Sequence, residues 1–425
     1  MVKLVCFQDK VMAVFTSLSP NTERDDLWLA WQMLFKPWQW QKGQGVLELE
    51  NYFKNWLPVS RAFAFSSGRA CLYAILQAIG VTSGDEVLLQ AYTCVVVPNP
   101  IIWLGAKPVF VDCQDDFTMS VEDLEKKITA QSKAIIIQHT FGCPSAIEAI
   151  MALAKRHNLL VIEDCAHSLG GQYQGQALGA FGDISFFSFG RDKIISSVFG
   201  GIVATNNLAL AEKIKQWQNN LTYSSYGWIL RQIAHPLVLF FVKKTYYALS
   251  LGKFLVTLIK QLGLISRAVS LAERQGGKPV FISRKMSNAL AVLALHQLKK
   301  AARFNAHRQK IAALYDRELV GLPGVRLPQF RGDNVYLRYT ICLDKAKFLI
   351  SQAKKQGIEL GCWYDWPVAP RDTNLDKVFY TWGSCPTAEK LAKRSVNLPT
   401  NIQTSEKDAM KVVQFIKQNI IKQNI

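Results

Sequence analysis

Four residues with reactive or hydrogen-bonding side chains stand close together near the middle of the 425-residue chain. One apolar stretch leads to Asp164, and His167 follows three residues later. A second apolar stretch contains Ser188 near its end, and Lys193 follows on a segment that is predicted to be a loop. An acid at a strand end, a lysine on a loop and a nearby serine are the groups that a pyridoxal phosphate (PLP) site requires.

The chemistry of PLP explains why these residue types would be needed. A lysine amine must reach the aldehyde of PLP to hold it as a Schiff base, which is the role expected of Lys193. A buried carboxylate facing the pyridine nitrogen keeps that nitrogen protonated, which is the role expected of Asp164. We expect His167 to lie over the ring or near its phenolic oxygen, and Ser188 to donate to the phosphate.

Each residue alone also has an ordinary interpretation. Lysines are mostly solvated surface residues, and an aspartate at a strand end often caps a helix or forms a turn. A lone histidine is often structural, and Ser188 could be an ordinary strand serine. Only the order and spacing of the four residues favour a shared site.

That order resembles the core of the DegT/StrS family of sugar aminotransferases, PLP enzymes with the aspartate aminotransferase fold. The family shows E-D-x-A-H/Q, then G-x-x-G-x-F-G-D-I-x-x-F-S-F, then a lysine and a G-G pair. This chain has EDCAH at 163–167, GAFGDISFFSF at 179–189, Lys193 and the pair Gly200-Gly201. The similarity extends more loosely from about Asp25 to about Lys417.

The resemblance implies an α/β fold. We expect a fold type I large domain with a mostly parallel, seven-stranded sheet, followed by a smaller C-terminal α+β domain. The expected divisions are an N-terminal lead (1–24), a large PLP-binding domain (25–215), a basic hydrophobic insert or linker (216–282) and a small domain (283–425).

A strand, a Ser-Gly turn and a helix are predicted from Ala62 onward. Backbone N–H groups at the start of this helix would form an anion site. The family uses the equivalent S/N-G-T turn to hold the PLP phosphate, so the resemblance assigns Ser67, Gly68 and Arg69 to cofactor binding. Arg69 replaces the usual threonine, which removes a hydroxyl contact and offers a cation instead.

The resemblance also leaves some contacts open. The family places an aromatic ring against one face of PLP, but Cys94 stands at that position here, and neighbouring Tyr92 is the alternative stacking residue. Ser283 and Lys285 stand where the family has an Asn and an Arg that reach across the dimer toward the phosphate. Lys285 keeps the charge but lacks the fork geometry of arginine.

The implied function is transfer of an amino group from an amino acid, such as glutamate, to a keto-sugar, commonly a nucleotide-linked one. Such sugars are made for cell-surface polysaccharides or secondary metabolites. Lys193 would act as general base and acid in a ping-pong mechanism, within a homodimer. The alternatives are a PLP-dependent sugar dehydratase, against which Lys193 argues, and a non-catalytic regulatory or scaffold protein on the same fold.

The charge distribution predicts an anionic partner. The formal net charge is +18, and residues 213–272 contain eight basic and no acidic residues among large apolar ones. We expect no nucleic-acid binding, because no nucleic-acid-binding signature is present. Residues 222–272 could form interfacial helices on an anionic membrane, or a buried hairpin or dimer-interface insert. Pro236 and Gly252 are predicted to break this segment into separate helices.

The remaining composition predicts a cytoplasmic protein, and a peripheral position on the inner face of the membrane is the open alternative. The nine cysteines lack paired metal-ligand spacing, so they indicate buried, reduced thiols, and no metal site is expected. Asp9 and Lys10 interrupt the first apolar residues, so we expect no signal peptide. No apolar run reaches the length of about 20 residues that a membrane span needs.

Overall fold

The computed structural model describes residues 14–17, 21–245, 266–329 and 332–421. Most of the predicted lead, the predicted break at Gly252 and residues 246–265 of the predicted membrane segment lie outside the described residues.

The strands are short and are numbered along the chain. They are β1 (Val14–Phe15), β2 (Arg61–Phe65), β3 (Glu86–Gln90), β4 (Thr93–Cys94), β5 (Lys107–Val111), β6 (Ser132–Gln138), β7 (Leu160–Asp164), β8 (Gln172–Tyr173), β9 (Gln176–Ala177), β10 (Ile184–Ser188), β11 (Gly201–Thr205), β12 (Tyr339–Cys342), β13 (Ile358–Glu359), β14 (Val368–Ala369) and β15 (Ser395–Leu398).

The α-helices alternate with the first strands and dominate the second half of the chain. They are α1 (Arg24–Leu34), α2 (Gly45–Trp56), α3 (Gly68–Ala78), α4 (Pro98–Ile102), α5 (Val121–Lys127), α6 (Ile147–Arg156), α7 (Leu208–Asn220), α8 (Tyr226–Thr245), α9 (Asn288–Leu298), α10 (Ala301–Leu319), α11 (Ala346–Lys355), α12 (Pro386–Arg394) and α13 (Glu406–Ile421).

A seven-stranded sheet with the order β2-β11-β10-β7-β6-β3-β5 forms the centre of the molecule. Strand β11 runs antiparallel to both of its neighbours, and the other neighbouring pairs are parallel. The predicted α/β fold with a mostly parallel, seven-stranded sheet is therefore confirmed.

Helices cover both faces of this sheet. Successive side chains of a strand point to opposite faces, and the adjacent Phe186 and Phe187 of β10 accordingly lie in two different apolar clusters. Phe186 shares its cluster with Ile75 of α3, whereas Phe187 shares the other with Phe53 of α2. Burial on both faces explains why the central strands are continuous apolar runs.

The parallel arrangement brings several chain segments to one edge of the sheet. Strands β7 and β10 end at Asp164 and Ser188, and these ends lie side by side because the two strands pair in parallel. Strand β2 runs in the same direction, so the turn at Ser67 and the start of α3 reach the same edge. The carboxyl edge of an open α/β sheet is where ligands usually bind.

The C-terminal part contains its own apolar cluster and the antiparallel pair β12 and β15. Two short pairings join this part to earlier segments: β1 pairs with β13, and β14 pairs with β4. The second pairing brings residues just before β14 to the carboxyl edge of the large sheet. The positions of the domain boundaries stay predictions.

The predicted break at Pro236 is wrong, because α8 runs continuously through this residue. Proline removes one backbone hydrogen bond, but α8 packs against the body of the protein through Ile229 and Ile233, which are fully buried. Within the described residues, no helix combines the length and the apolar character that crossing a membrane would require.

Candidate active site

An open cavity of about 960 Å³, counting its mouth, lies at the carboxyl edge of the sheet. Most of the residues that the sequence singled out line this cavity. They are Ser67, Gly68, Arg69, Cys94, Asp164, His167, Ser188 and Lys193. The structure thus brings together residues that lie more than 120 positions apart in the sequence, from Ser67 to Lys193.

Hydrogen bonds fix the backbone of the loop that carries Lys193. The Lys193 backbone N–H donates to the carbonyl of Gly190 at 3.2 Å, which closes a turn. The Asn21 amide donates to the carbonyls of Lys193 at 2.5 Å and Ile194 at 2.9 Å. The buried Arg308 in turn donates to Asn21 Oδ1 at 2.8 Å and to the Ile194 carbonyl at 3.2 Å. These bonds fix the backbone from which the lysine side chain enters the cavity.

Burial sets the charge state of the two central groups. It lowers the pKa of Lys193, and the negative charge of Asp164 raises it again in part. Burial raises the pKa of Asp164, while a hydrogen bond from the Ala166 N–H at 2.9 Å and the charge of Lys193 act in the opposite direction. A lysine with a lowered pKa carries a larger fraction of neutral, nucleophilic amine.

A buried Glu163–His139 pair supports the strand end that carries Asp164. The Glu163 carboxylate accepts backbone N–H groups from Gly179, Phe181 and Gly182 at 2.7–2.9 Å. Its Oε2 lies 3.1 Å from Nε2 of His139. Burial alone would raise the pKa of Glu163, but the contacts with His139 and the backbone lower it overall. The pair therefore stabilises a charged carboxylate directly beneath the cavity wall.

His167 is held as a neutral imidazole. Its Nδ1 accepts the backbone N–H of Phe141 at 3.2 Å, which leaves the proton of the neutral ring on Nε2. That Nε2 lies 3.5 Å from the hydroxyl of Tyr364, and the ring stacks with Phe141 at 5.8 Å. Burial and the charge of Lys193 hold the pKa of His167 well below its usual value.

The start of α3 forms a close-packed turn against Ser188. The Ser67 hydroxyl accepts the N–H of Ala70 at 3.2 Å and so caps the helix. A Cβ added to Gly68 would lie 2.9 Å from Cβ and 3.1 Å from Oγ of Ser188, so glycine is required for this approach. Both serine hydroxyls keep a proton to donate, beside the helix N–H groups that have no intrahelical partner.

Arg69 lines the cavity, but its guanidinium is engaged by another part of the chain. It forms an ion pair with Glu273, donates to the carbonyl of Ala268 at 2.6 Å and lies 5.2 Å from the ring centroid of Phe281. Because Glu273 neutralises it, Arg69 offers the cavity its backbone N–H rather than an unpaired cation.

The suggested stacking by Tyr92 needs correction, since this residue does not line the cavity. Its side chain is fully buried, and its hydroxyl donates to Ser395 Oγ at 2.7 Å. The residue has a φ of 62°, and its ring packs against Phe117 and Tyr364 instead. Cys94 does line the cavity, and burial raises the pKa of its thiol.

Several lining residues were not anticipated. Trp363 and Tyr364 come from the segment before β14, and Ala268 and Val269 come from the predicted insert. Neither segment carries a sequence motif that points to the site, because both are brought there only by tertiary contacts. Lys285 does not line the cavity of its own chain, where its backbone N–H donates to the Thr222 carbonyl at 2.8 Å, and its contact across a dimer stays a prediction.

The residues of the cavity fit PLP. A phosphate needs several hydrogen-bond donors in one place, and the α3 N-terminus with the hydroxyls of Ser67 and Ser188 provides them. Glycine at position 68 lets Ser188 approach the start of α3, which brings the Ser188 hydroxyl beside the helix N–H groups. A lysine and a buried carboxylate on the same cavity match the aldehyde and the pyridine nitrogen of the cofactor.

Comparison with known proteins gives a family match over most of the chain. The model of the DegT/DnrJ/EryC1/StrS aminotransferase family matches residues 23–227 and 255–417. The gap at 228–254 contains most of α8 and falls within the predicted insert.

Individual relatives agree with this match. An uncharacterized protein, MJ1066, of Methanocaldococcus jannaschii is 30% identical over 401 residues, which cover 90% of this chain and 91% of the relative. A UDP-N-acetyl-3-dehydro-alpha-D-glucosamine 3-aminotransferase of Acidithiobacillus ferrooxidans is 29% identical over 368 residues, or 85% of each chain. The solved structure of Helicobacter pylori PseC, an aminotransferase involved in the biosynthesis of pseudoaminic acid, aligns with a TM-score of 0.76 at 21% identity. The alignment covers 96% of this chain and 100% of that one.

Proposed function

The chain belongs to the DegT/DnrJ/EryC1/StrS aminotransferase family, and we propose that it transfers an amino group from glutamate to a nucleotide-linked keto-sugar. Family membership confirms the predicted family and the prediction of a sugar aminotransferase. The observation that carries the more specific proposal is the convergence of Lys193, Asp164 and the Ser67–Ser188 donor cluster on one cavity.

PLP is the cofactor that we assign to this cavity. Ser67, Gly68 and Ser188 would hold the phosphate, with Arg69 contributing its backbone. Asp164 would face the pyridine nitrogen, and a positive charge there would offset the burial that raises the pKa of Asp164. Neutral His167 packs the ring in place, and Cys94 lines the same space. Family members imply this cofactor, and the donor set described above supports it.

When bound, PLP supplies an electron sink that stabilises negative charge on the carbon bearing the amino group. The protein supplies the proton transfers. The Lys193 amine would hold the cofactor, and as a free amine it would take a proton from the donor carbon in the first half of the reaction and give a proton to the acceptor carbon in the second. Its lowered pKa favours the neutral form that can accept a proton at neutral pH.

The substrate proposal has two supports: the name of a related protein and the net charge of this chain. The Acidithiobacillus relative acts, by its name, on a UDP-linked 3-keto sugar. A net charge of +18 favours an acceptor that carries a nucleoside diphosphate. The donor is an amino acid, for which glutamate is our proposal.

Transfer of nitrogen tests this function directly. The protein is loaded with PLP and incubated with ¹⁵N-glutamate and a panel of nucleotide-linked keto-sugars, and the sugars are analysed by mass spectrometry. We expect ¹⁵N in one amino-sugar product, and none with Lys193→Ala. Pyruvate is tested in parallel as an ordinary keto acid. If no sugar carries the label and labelled alanine forms from pyruvate, the amino acceptor is a keto acid and the proposal of a sugar acceptor is wrong.

We also propose that the protein is a homodimer. Helix α1 and the residue that caps its C-terminus present an exposed aromatic stripe, formed by Trp28, Trp31 and Phe35 at helical spacing, to which Trp38 is adjacent. Large exposed apolar patches commonly mark protein interfaces, and a second copy of the chain is the occupant we assign. Sedimentation velocity at micromolar concentration checks this, and a purely monomeric species would contradict it.

Finally, we propose a cytoplasmic enzyme that lies against the inner face of the membrane through residues 222–272. On α8, the exposed residues Tyr226, Leu230 and Phe241 fall on one side of the helix, with the exposed Arg231 at its margin. An apolar face beside basic residues suits the surface of an anionic bilayer. The family model also skips residues 228–254, which makes this helix a feature of this chain rather than of the shared catalytic fold.

A further inference from the structure

Arg191 lines the cavity and has no hydrogen-bonded acid among the described residues. It stands two residues before Lys193 on the same loop. One of its terminal nitrogens donates to the carbonyl of Ser266, and the other donates to the Ser266 hydroxyl at 2.5 Å. Both of these acceptors are neutral. Burial lowers the pKa of Arg191 to about 10, so the guanidinium still carries its proton at neutral pH.

Arg69 lines the same cavity, but an acid neutralises its charge. It forms an ion pair with Glu273, whose side chain is only 1% exposed. The two guanidinium groups lie on neighbouring aromatic rings. Arg69 is 5.2 Å from the ring centroid of Phe281, and Arg191 is 5.3 Å from that of Phe199. The two ring centroids are themselves 5.2 Å apart. Of the two arginines, only Arg191 therefore brings a positive charge that no bonded acid offsets.

The neighbouring Asp192 acts on Arg191 only through its charge. Asp192 also lines the cavity, and its carboxylate raises the pKa of Arg191 against the effect of burial. Within the described part of the chain, no ion pair or hydrogen bond joins the two side chains. Each terminal nitrogen of Arg191 carries two N–H groups and uses one on Ser266, so one N–H group on each nitrogen remains for a ligand.

The position of Arg191 is next to the hydroxyl of Ser188. Ser188 Oγ accepts the backbone N–H of Gly190 at 3.3 Å, so the chain turns tightly between Ser188 and Arg191. The start of α3 packs against the same serine at Gly68. The charge of Arg69, which follows Gly68, is close enough to lower the pKa of Arg191. Arg191 therefore lies beside the group of donors that fits a phosphate.

Hydrogen bonds from α8 hold the Arg191 guanidinium in place. The Ser266 hydroxyl, which accepts from Arg191, donates to Gln232 Oε1 at 2.7 Å. Gln232 is fully buried, and its Nε2 donates to the carbonyl of Trp228 at 3.0 Å. The family model skips residues 228–254, which include Gln232. The support of Arg191 is therefore a feature of this chain rather than of the shared fold.

We propose that Arg191 binds the phosphate of PLP within its own chain. A phosphate monoester carries a charge between about −1.5 and −2 at pH 7. The hydroxyls of Ser67 and Ser188 and the N–H groups of α3 are neutral donors, and Arg69 is neutralised by its acid. Arg191 thus supplies the positive charge, in a charge-assisted hydrogen bond. This inference rests on the proposed cofactor.

The alternative is the contact across the dimer that the resemblance predicts for Lys285. Within its own chain, the Lys285 ammonium lies 5.6 Å from the ring centroid of Tyr223, and Lys285 does not line the cavity. A phosphate-binding arginine in the same chain would make a cation from a partner dispensable. The two arrangements therefore predict opposite effects of substitution at positions 191 and 285.

Comparison of PLP with pyridoxal, which lacks the phosphate, isolates the proposed contact. Both aldehydes can react with Lys193, and equilibrium dialysis with absorbance detection gives their dissociation constants. We expect Arg191→Met to weaken PLP binding roughly 10- to 100-fold, as for loss of a charge-assisted hydrogen bond, and to change pyridoxal binding less than about twofold. Equal PLP affinity in wild type and Arg191→Met, or equal losses for the two aldehydes, would overturn the proposal.

Arg61→Met provides a matched control. Arg61 is exposed and begins β2, at the end of the strand that lies opposite to the Ser67 turn. This variant should leave the binding of both aldehydes unchanged within about a factor of two. A loss of PLP affinity as large as that in Arg191→Met would attribute the effect to the general charge of the protein and would contradict a specific contact.

Lys285→Met decides between the two sources of positive charge. We expect it to weaken PLP binding less than about threefold, because Arg191 remains. Loss of PLP affinity in Lys285→Met, with none in Arg191→Met, would overturn the proposal. Should Arg191→Met not fold, Arg191→Lys replaces it in the test. Lysine lacks the fork of arginine, so PLP binding should weaken at least about threefold and pyridoxal binding should persist. Unchanged PLP affinity in that variant would then sink the proposal.

The phosphate contact and the proposed function can fail separately. PLP binding that depends on Arg191, in a protein that transfers no nitrogen to any sugar, would remove the transfer and leave the contact. Transfer to a sugar, with PLP affinity indifferent to Arg191, would remove only the contact. A protein that binds neither aldehyde would remove the cofactor and this inference together.

Discussion

At the scale of single residues, the reactivity of Lys193 follows from its surroundings. Burial lowers its pKa, and the carboxylate of Asp164 works against that effect. The backbone of the lysine is held by Asn21 and Arg308, so the amine has a defined place to enter the cavity. The same two groups, Lys193 and Asp164, thus control each other's charge.

The pH dependence of PLP capture tests this coupling. Only the neutral amine attacks an aldehyde, so the capture rate should rise with pH and level off above the pKa of Lys193, at a pH below the usual lysine value of 10.5. Asp164→Asn removes a negative charge that raises this pKa, so the midpoint should move to lower pH. Stopped-flow absorbance of apoprotein mixed with PLP measures both profiles. A midpoint that stays in place, or moves upward, would contradict the coupling.

At the scale of elements, the Glu163–His139 pair ties β7 to the Gly-rich loop that precedes β10. The Glu163 carboxylate gathers three backbone N–H groups of that loop, so one buried side chain ties the end of β7 to the start of β10. Because Asp164 directly follows Glu163, the pair supports the strand end that carries Asp164.

Removal of the Glu163 charge should therefore lower the stability of the folded protein. Glu163→Gln should lower the free energy of unfolding by about 3–5 kcal/mol near pH 7, as for a buried pair that loses one partner. The folded-state pKa of Glu163 lies below its usual 4.5, so its contribution is present above that pH and is lost as the pH falls through the folded-state value.

Urea unfolding at pH 7 and at pH 4 checks both parts of this expectation. The difference between wild type and Glu163→Gln should shrink at the lower pH. Glu125→Gln is the control, because Glu125 pairs with Arg156 on the surface and should contribute less than about 1 kcal/mol. If the Glu163 variant is as stable as this control, the Glu163–His139 pair does not contribute measurably to the free energy of unfolding.

The elements also show which parts of the site a sequence can reveal. Asp164, Ser188 and Lys193 were predictable because the strand–loop–strand unit that positions them is contiguous in the chain. The helix start at Gly68 was predictable because a Ser-Gly turn follows an apolar strand. Trp363 and Tyr364 were not, since small-domain contacts bring them to the cavity and their own neighbourhood carries no motif.

Other differences arose where packing outweighed local preference. Pro236 should end a helix by its local chemistry, but burial of one side of α8 keeps the helix continuous. Arg69 looked like a phosphate ligand, but Glu273 from a distant segment engages it. Neither effect could be derived from the residues around Pro236 or Arg69.

At the scale of the whole molecule, this strongly basic protein exposes apolar side chains on two of its described helices, α1 and α8. The aromatic stripe of α1 and the exposed face of α8 are the surfaces that we assign to a second copy and to a membrane. The α1 and α8 helices pack against each other, so the two proposed contacts lie next to one another.

Substitution on the α8 face tests the membrane contact. We expect the wild-type protein to co-sediment with vesicles containing phosphatidylserine, and less so at high salt. Leu230→Ser combined with Phe241→Ser should reduce the bound fraction at least about threefold, because two apolar side chains no longer enter the interface. Leu208→Ser, an exposed leucine on α7, is the matched control. Binding that ignores the α8 substitutions would remove this role.

The measurement that addresses the central proposal most directly is the visible absorption spectrum of the protein with PLP, before and after addition of glutamate. Wild type should show a PLP band that decreases with glutamate, and the exposed-lysine control Lys213→Ala should behave the same way. Lys193→Ala should not show the lysine-dependent band. A wild-type protein that takes up no PLP, or a band that persists unchanged in Lys193→Ala, would contradict the assignment of Lys193 and of the cavity around it.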